Sequence, residues 1–196
     1  MDHAQLIVNR ERLIESTKVL HEEVSKGIWD TALNVGSGSR ILPGYRNIDF
    51  FAEGAVADDQ VTLQTIQDGT VRLLYSSHAL EHSGHRYTRK ALKRWHQVMV
   101  PGGTLSISLP DLDLNMMSML AASTKEARDW FRCTIFGYQA EQSNPEIECK
   151  GEYHLSGYNL QEFGEMLVEA GFEVQESYNY DGFGTWGMFF RAIKIP

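Results

Sequence analysis

With 196 residues, 42% of them hydrophobic, the chain is long enough for one domain with an ordinary core, and we expect a single domain over 1–196. A net charge of −8 argues against a nucleic-acid partner, because phosphate binding relies on clustered Lys and Arg. No stretch approaches the roughly 18 apolar residues of a membrane span, and the N-terminus lacks the apolar core of a secretion signal, so we expect a cytoplasmic protein without membrane contact.

The first third of the chain predicts one helix followed by several short strands. Apolar residues recur at helical spacing over 4–26, and we expect this segment (1–27) to be a helical lid that packs across a sheet or covers the mouth of a site. Short strand patterns follow at 32–35, 46–50 and near 54–57. Residues 71–77 are almost continuously apolar, which is typical of a parallel strand covered on both faces.

The rest of the chain continues the alternation and ends in a hairpin. It predicts a helix over 85–100, a strand over 104–109, a helix over about 114–132, a helix over 160–170 and strands over 172–178 and 187–194. The 114–132 helix is expected to bury Met117 and Leu120. Residues 133–157 lack periodicity and are typical of a loop that binds an acceptor. We therefore expect an α/β fold: a doubly wound, Rossmann-like, mostly parallel sheet with one antiparallel strand near the C-terminus and helices on both faces.

A glycine turn followed by an acid is the most informative motif. Gly36-Ser37-Gly38 follows the strand at 32–35, and Asp49 ends the next strand. Glycine lets a ligand approach the main chain closely, and an acid at the tip of the neighbouring strand can accept hydrogen bonds from ribose hydroxyls. A dinucleotide fold places this acid about 20 residues on, after a helix whose N-terminus holds a pyrophosphate. Here the interval is only 13 residues (49 − 36), which favours a nucleoside without phosphates, such as S-adenosyl-L-methionine.

Three ordered segments carry a resemblance to a known family. Residues 33–49 resemble the first motif of class I S-adenosylmethionine-dependent methyltransferases, and more narrowly that of a group of small bacterial methyltransferases of the methyltransferase type 11-like kind. Residues 73–82, which include Leu80-Glu81-His82, and residues 98–111 are similar to the same group. Ser37 departs from the family, which commonly has cysteine there.

The motifs and the resemblance together predict the cofactor site. The expected cofactor-binding residues are Gly36, Ser37, Gly38, Asp49, Phe50, Asp58, Asp59, Ser76, Ser77 and His78. Asp49 is expected on the ribose, the alternative being an exposed turn carboxylate. The resemblance places Asp58 or Asp59 near the adenine amino group, although a solvated loop is an alternative. Phe50 and Phe51 are candidates for the adenine face or, alternatively, for the core.

The expected catalytic residues are His154, His82 and Asp111. His154 is a candidate base for a hydroxyl acceptor, the alternative being a surface residue or a hydrogen-bonding post. Glu81 is expected either to orient His82 or to cap the following helix. Asp111 either contacts the acceptor or caps a helix.

The sequence therefore predicts a methyltransferase that moves a methyl group from S-adenosyl-L-methionine to a small-molecule or glycan-type acceptor, at oxygen or nitrogen. No spacing among the Asp and His residues is typical of a metal site, so none is expected. A catalytically silent scaffold with the same fold is one alternative. An NAD-dependent oxidoreductase is another, disfavoured by the short interval between Gly36 and Asp49.

Overall fold

A computed structural model of the protein describes residues 3–137, 153–182 and 184–196. The strands are β1 Ala32–Val35, β2 Arg46–Asp49, β3 Val56–Ala57, β4 Val71–Ser77, β5 Met99–Pro110, β6 Phe172–Asp181 and β7 Trp186–Lys194. The helices are α1 His3–Ser25, α2 His85–Val98, α3 Leu112–Ala121, α4 Lys125–Phe136 and α5 Leu160–Glu169, with a 3₁₀ turn at Leu80–His82. No helix in these described ranges is both long and apolar enough to cross a membrane.

All seven strands form one sheet in the order β3-β2-β1-β4-β5-β7-β6. Strands β1 to β5 pair in parallel, while β7 runs antiparallel to both β5 and β6. The strand order reverses at β1: β2 and β3 lie on one side of it, and β4 and β5 lie on the other. The connections that follow β1 and β4 therefore leave the carboxyl edge of the sheet in opposite directions. Open α/β sheets bind their ligands at such a switch point. The predicted mostly parallel sheet with a C-terminal hairpin is confirmed.

The two faces of the sheet are covered by different helices. Helices α2 and α5 contribute Trp95 and Phe163 to the main core, both fully buried. On the other face α1 packs Leu20 and Val24 against a smaller cluster that includes Tyr75. At the far end of that face, the Asn9 amide donates a 2.7 Å hydrogen bond to the Asn179 carbonyl.

The predicted helix over 114–132 is wrong: the structure has two helices, α3 and α4, separated at residues 122–124. Thr124 starts α4 by accepting a hydrogen bond from the Ala127 amide, because a side-chain hydroxyl at this position satisfies an N–H that the first turn leaves unpaired. The predicted inward residues Met117 and Leu120 are 65% and 75% exposed. Of the predicted acceptor loop 133–157, residues 138–152 lie outside the described part of the chain.

Strand β5 begins earlier than the predicted strand over 104–109. Pro101-Gly102-Gly103 form a bulge inside it, where the pairing with β4 shifts between Val71 and Leu73. A Cβ on Gly103 would lie 2.9 Å from the Val100 carbonyl oxygen, so the bulge needs glycine there. The helix α2 therefore ends at Val98, and Met99 already belongs to the strand.

Candidate active site

A cleft of about 1060 Å³ opens at the carboxyl edge of the sheet, where β1, β2 and β4 end. It brings together predicted residues from four separate stretches of the chain. Its lining includes Gly36, Gly38, Asp49, Phe50, Asp58, Asp59, His78 and His82. A cleft of this size at this edge is large enough for a nucleoside cofactor and an acceptor side by side.

The glycine turn is held by close packing and by main-chain hydrogen bonds. Gly36 has a φ of +69° and donates a 2.9 Å hydrogen bond to the Ile48 carbonyl. A Cβ on Gly36 would lie only 2.3 Å from the Ala79 Cβ. Gly38 also has a positive φ, +51°, but a Cβ there would meet no atom within 4 Å. Gly36 is therefore required by packing, and Gly38 leaves the main chain open to the cleft.

Asp49 bridges the glycine turn and its own loop. Its Oδ2 accepts a 2.9 Å hydrogen bond from the Gly38 amide, and its Oδ1 accepts hydrogen bonds of 2.9 and 3.0 Å from the Phe51 and Ala52 amides. A carboxylate offers about four lone-pair directions, so about one remains for a ligand hydroxyl. Asp49 is partly exposed and lines the cleft, in contrast to the alternative of an exposed turn carboxylate away from any cavity.

Two aromatic rings beside Asp49 face the cleft. Phe50 is 63% exposed and Phe51 is 84% exposed, and the two rings contact each other edge to face at 4.9 Å. The alternative that these rings pack in the core is wrong. Exposed rings at a cleft can pack on a planar ligand such as a purine.

Asp58 and Asp59 organise the loop that follows β3. Asp58 is buried and accepts hydrogen bonds from the Gln64 and Thr65 amides and from the Thr65 hydroxyl. Burial raises the pKa of the Asp58 carboxyl, but the hydrogen bonds from Thr65, Gln64 and Asp59 outweigh it and hold the pKa below its usual value. Asp59 is exposed and accepts hydrogen bonds from two amides of the same loop. Both carboxylates therefore have structural partners within the loop, while both residues line the cleft.

The hydroxyls of the three predicted serines form hydrogen bonds within the protein, and none of the three residues lines the cleft. The buried Ser37 hydroxyl lies 3.3 Å from the Gly38 carbonyl, to which it donates. The Ser76 hydroxyl donates a 3.0 Å hydrogen bond to the Val35 carbonyl. Ser77 accepts a hydrogen bond from Ser108, and both line a different cavity of about 570 Å³ between α1 and the sheet. At the end of β4, His78 lines the cleft, whereas Ser76 and Ser77 do not.

His78 leaves β4 in an unusual conformation. Its φ is +52°, a region that costs a residue other than glycine some conformational energy and that is found most often at functional sites. Its Nδ1 lies 3.3 Å from the Glu81 Oε1, and its Nε2 lies 3.3 Å from the Tyr180 hydroxyl oxygen. Desolvation lowers the pKa of His78, but the Glu81 carboxylate outweighs it and raises the pKa above its usual value.

The 3₁₀ turn Leu80–His82 receives the segment that carries His154. The Leu155 amide donates a 2.7 Å hydrogen bond to the Glu81 carbonyl, and the Ser156 hydroxyl donates a 2.6 Å hydrogen bond to the Ser83 carbonyl. The His82 and His154 rings contact each other edge to face at 4.9 Å. The structure therefore brings together two predicted catalytic residues that lie far apart in the sequence.

Asp111 has a capping role, as one of the two alternatives expected. Its Oδ1 accepts a 2.9 Å hydrogen bond from the Leu114 amide at the start of α3, and its Oδ2 accepts a 2.7 Å hydrogen bond from the Asn179 amide group. Burial raises the pKa of the Asp111 carboxyl above its usual value. Glu81, by contrast, does not cap α2, whose N-cap is Gly84 without a side-chain cap.

Gln60 is a cleft residue that the sequence analysis missed. Its side-chain amide donates to the Ala79 carbonyl and to the Ser83 hydroxyl, and its main-chain carbonyl accepts from the Trp95 indole. Gln60 thereby joins the loop after β3 to the turn after β4, and both contribute to the cleft lining. No local pattern predicts this contact, because its partners lie far along the chain.

No family model matches the sequence, and no curated protein matches it either. Solved structures do match its fold. A SAM-dependent methyltransferase from Methanosarcina mazei superposes with a TM-score of 0.58 at 15% identity, over 84% of this chain and 92% of that one. The 1,6-didemethyltoxoflavin-N1-methyltransferase of Burkholderia thailandensis, solved with 1,6-didemethyltoxoflavin and S-adenosylhomocysteine, gives 0.57 at 14% identity, over 96% and 84% of the two chains.

A third solved structure agrees with these two. An S-adenosylmethionine-dependent methyltransferase from Mesorhizobium loti gives a TM-score of 0.54 at 13% identity, over 84% of this chain and 90% of that one. The chain therefore has the fold of S-adenosylmethionine-dependent methyltransferases, and the fold that the sequence motifs implied is confirmed.

Proposed function

We propose that the protein is a methyltransferase that uses S-adenosyl-L-methionine. The observation that carries this proposal is the bridge between the Gly38 amide and Asp49 at the wall of the large cleft. It joins a main chain open to a ligand and a carboxylate that retains an acceptor direction for a ribose hydroxyl.

The connection between β1 and β2 supports a nucleoside cofactor over a dinucleotide. Residues 36–45 contain no helix, whereas a dinucleotide fold uses a helix N-terminus at this place to hold its pyrophosphate. Without that helix, the strand end favours a ligand that carries no phosphate. The alternative of an NAD-dependent oxidoreductase loses its main binding element for the same reason.

The remaining cleft residues give the cofactor an orientation. The ribose lies at Asp49, and the adenine packs on the exposed ring of Phe50, near the loop of Asp58 and Asp59. The methionine end points toward His78, which also lines the cleft. The methyl group then faces the turn Leu80–His82.

Methyl transfer from a sulfonium needs alignment more than it needs an elaborate catalytic apparatus. The cofactor supplies the electrophile, and the protein holds the acceptor in line and manages its proton. We place the acceptor beside His82, which lines the cleft and contacts His154. Because Asp111 has structural partners for both oxygens, its contribution is to hold α3 next to this position.

We propose a small-molecule or glycan-type acceptor that is methylated at oxygen or nitrogen. The single described domain leaves room for a compact acceptor in the cleft. The Burkholderia thailandensis neighbour, which is solved with the small molecule 1,6-didemethyltoxoflavin, covers nearly the whole of this chain. A catalytically silent scaffold that still binds the cofactor has the same fold, and incubation with methyl-labelled cofactor and cell extracts distinguishes the two, because a scaffold transfers no label.

Calorimetry with S-adenosylmethionine and S-adenosylhomocysteine tests the proposal. We expect micromolar binding, and Asp49→Asn should weaken it by about tenfold or more, or about 1.4 kcal/mol, because a charged acceptor binds hydroxyls more strongly than a neutral one. Asp49→Asn keeps a side-chain oxygen for the loop amides. The matched control is Asp30→Asn, which removes only an exposed ion pair with Arg72 and should leave binding unchanged. A wild-type protein that binds neither compound would rule the proposal out.

A further inference from the structure

Three potential metal ligands from two distant parts of the chain meet beside the cleft. One ligand atom each from Glu81, His82 and His154 lies within 4.8 Å of the others. Two imidazoles and one carboxylate are a common ligand set for a divalent transition metal such as Zn²⁺, with a position left open for a further ligand. Sequence spacing gives no sign of this set, because His154 lies far from the other two.

Glu81 is the residue that most needs a partner. Its side chain is 3% exposed, and neither of its oxygens has a hydrogen bond among the described residues. An ionisable neighbour is His78, whose Nδ1 lies 3.3 Å from Oε1. An ionised carboxylate taken out of water costs several kcal/mol unless it is well paired, so the other oxygen needs a positive ligand.

The two histidines are prepared to act as ligands. His82 Nδ1 lies 3.1 Å from the Tyr153 carbonyl oxygen, and an Nδ1–H that donates there leaves Nε2 with its lone pair. Such a second partner is typical of histidines that bind metals. The His154 ring packs edge to face on the His82 ring at 4.9 Å, and a ligand atom of each residue lies within 4.8 Å of the other.

The surroundings also fit a single small ion. Glu81 and His154 line a cavity of about 10 Å³, near the minimum of roughly 10–15 Å³ that one water needs. Ligands of a tetrahedral Zn²⁺ at about 2.0–2.1 Å from the metal lie roughly 3.3 Å apart, so these side chains must approach one another by up to about 1.5 Å. The hydrogen bonds that hold residues 155–156 against the Glu81 and Ser83 carbonyls keep the three groups within that reach.

We propose that Glu81, His82 and His154 form a binding site for one divalent transition-metal ion of the Zn²⁺ type, with its open position toward the cleft. The open coordination position faces the cleft, because His82 is part of the cleft lining. An oxygen of the acceptor completes the coordination there.

The role of the metal ion depends on the proposed methyl transfer, whereas the binding of the metal ion does not. Coordination lowers the pKa of an acceptor hydroxyl, whose proton passes to solvent. The acceptor oxygen then forms a bond to the methyl carbon as the carbon–sulfur bond breaks. The electron pair of that bond remains on sulfur and yields S-adenosylhomocysteine. A metal ion at this site requires an acceptor that carries a hydroxyl group. His154 then acts as a metal ligand and not as the catalytic base.

Metal binding is tested directly on the full chain, freed of any affinity tag and treated with a chelator. Zn²⁺ titrated in a calorimeter should bind with a stoichiometry of one, and Co²⁺ in its place should give the visible absorption of a low-symmetry site. His154→Asn and Glu81→Gln should each weaken Zn²⁺ binding by about tenfold or more, since even a partner of a metal ligand is worth about 10–100-fold in affinity.

The matched control is His85→Asn, which removes an exposed histidine three residues from His82 without touching the cluster. It should bind Zn²⁺ like the wild type. His154 is only partly buried, so His154→Asn serves if Glu81→Gln does not fold. Absence of stoichiometric Zn²⁺ binding, or binding that His154→Asn leaves unchanged, overturns the proposal. Binding of S-adenosylhomocysteine by the zinc-free protein is a separate measurement, so failure of the metal site and failure of the proposed function are distinguishable.

Discussion

The two sides of the cleft are built on different principles. The cofactor side is local: the glycine turn and Asp49 lie 13 residues apart (49 − 36), and each side-chain oxygen of Asp49 accepts main-chain hydrogen bonds. The acceptor side is assembled over a long separation, and it leaves the buried Glu81 without a hydrogen bond among the described residues. On the first side both carboxylate oxygens of Asp49 have partners, whereas the second side retains a buried carboxylate that a ligand can pair.

The largest expected loss of stability comes from a substitution at Gly36, where the cofactor side of the cleft is most tightly packed. Gly36→Ala should destabilise the protein by about 2–5 kcal/mol, because a left-handed conformation costs a residue with a Cβ about 1–2 kcal/mol and overpacking costs about 1–3 kcal/mol. The new Cβ would lie 2.3 Å from the Ala79 Cβ. Urea denaturation of the variant and the wild type measures the difference.

The control for this change is Gly27→Ala. Gly27 has a similar φ of +73°, but a Cβ there meets no atom within 4 Å, so only the conformational cost of about 1 kcal/mol applies. Equal losses in the two variants would show that the contact between the turn and Ala79 contributes nothing.

A smaller effect sharpens the comparison on the acceptor side. Ser156→Ala removes the 2.6 Å hydrogen bond to the Ser83 carbonyl and should cost about 1 kcal/mol, since a single such bond contributes about that much. It should also speed hydrogen exchange at the Leu155 amide, which donates to the Glu81 carbonyl, because the segment is held less firmly. Exchange followed by mass spectrometry measures this.

Ser25→Ala is the matched control, because the Ser25 hydroxyl makes only a local, exposed hydrogen bond to Glu22 in α1. It should leave exchange at Leu155 unaltered. An unchanged exchange rate at Leu155 in Ser156→Ala would contradict a segment held by this bond.

The sequence predicted the elements whose signals are local. Apart from the break between α3 and α4, the order of strands and helices follows from turns, caps and periodicity within short windows, and so does the missing helix between β1 and β2. The same holds for the glycine turn and Asp49, which lie on neighbouring parallel strands. Parallel strands bring their carboxyl ends together, so the position of the cleft was predictable.

What the sequence could not predict depends on contacts between distant residues. The periodic apolar positions Met117 and Leu120 suggested a buried face, but the one buried residue of α3 is Asn115, whose amide group donates to the Trp186 carbonyl. The Glu81, His82 and His154 group arises because residues 155–156 bind the turn after β4, which no short motif encodes. At both places the structure is determined by contacts between distant residues, which the local sequence pattern does not encode.

The most direct test of the central claim, a cofactor held against the open main chain at Gly38, is the affinity for S-adenosylhomocysteine measured by calorimetry on two asparagine variants. Gly38→Asn fills open space on the cleft wall while keeping the amide, and asparagine tolerates the positive φ. Gly27→Asn makes the same change in open space at the end of α1, outside the cleft lining. We predict that Gly38→Asn weakens binding by about tenfold or more, or about 1.4 kcal/mol, while Gly27→Asn binds like the wild type. Equal affinities in the two variants would contradict a cofactor at this turn.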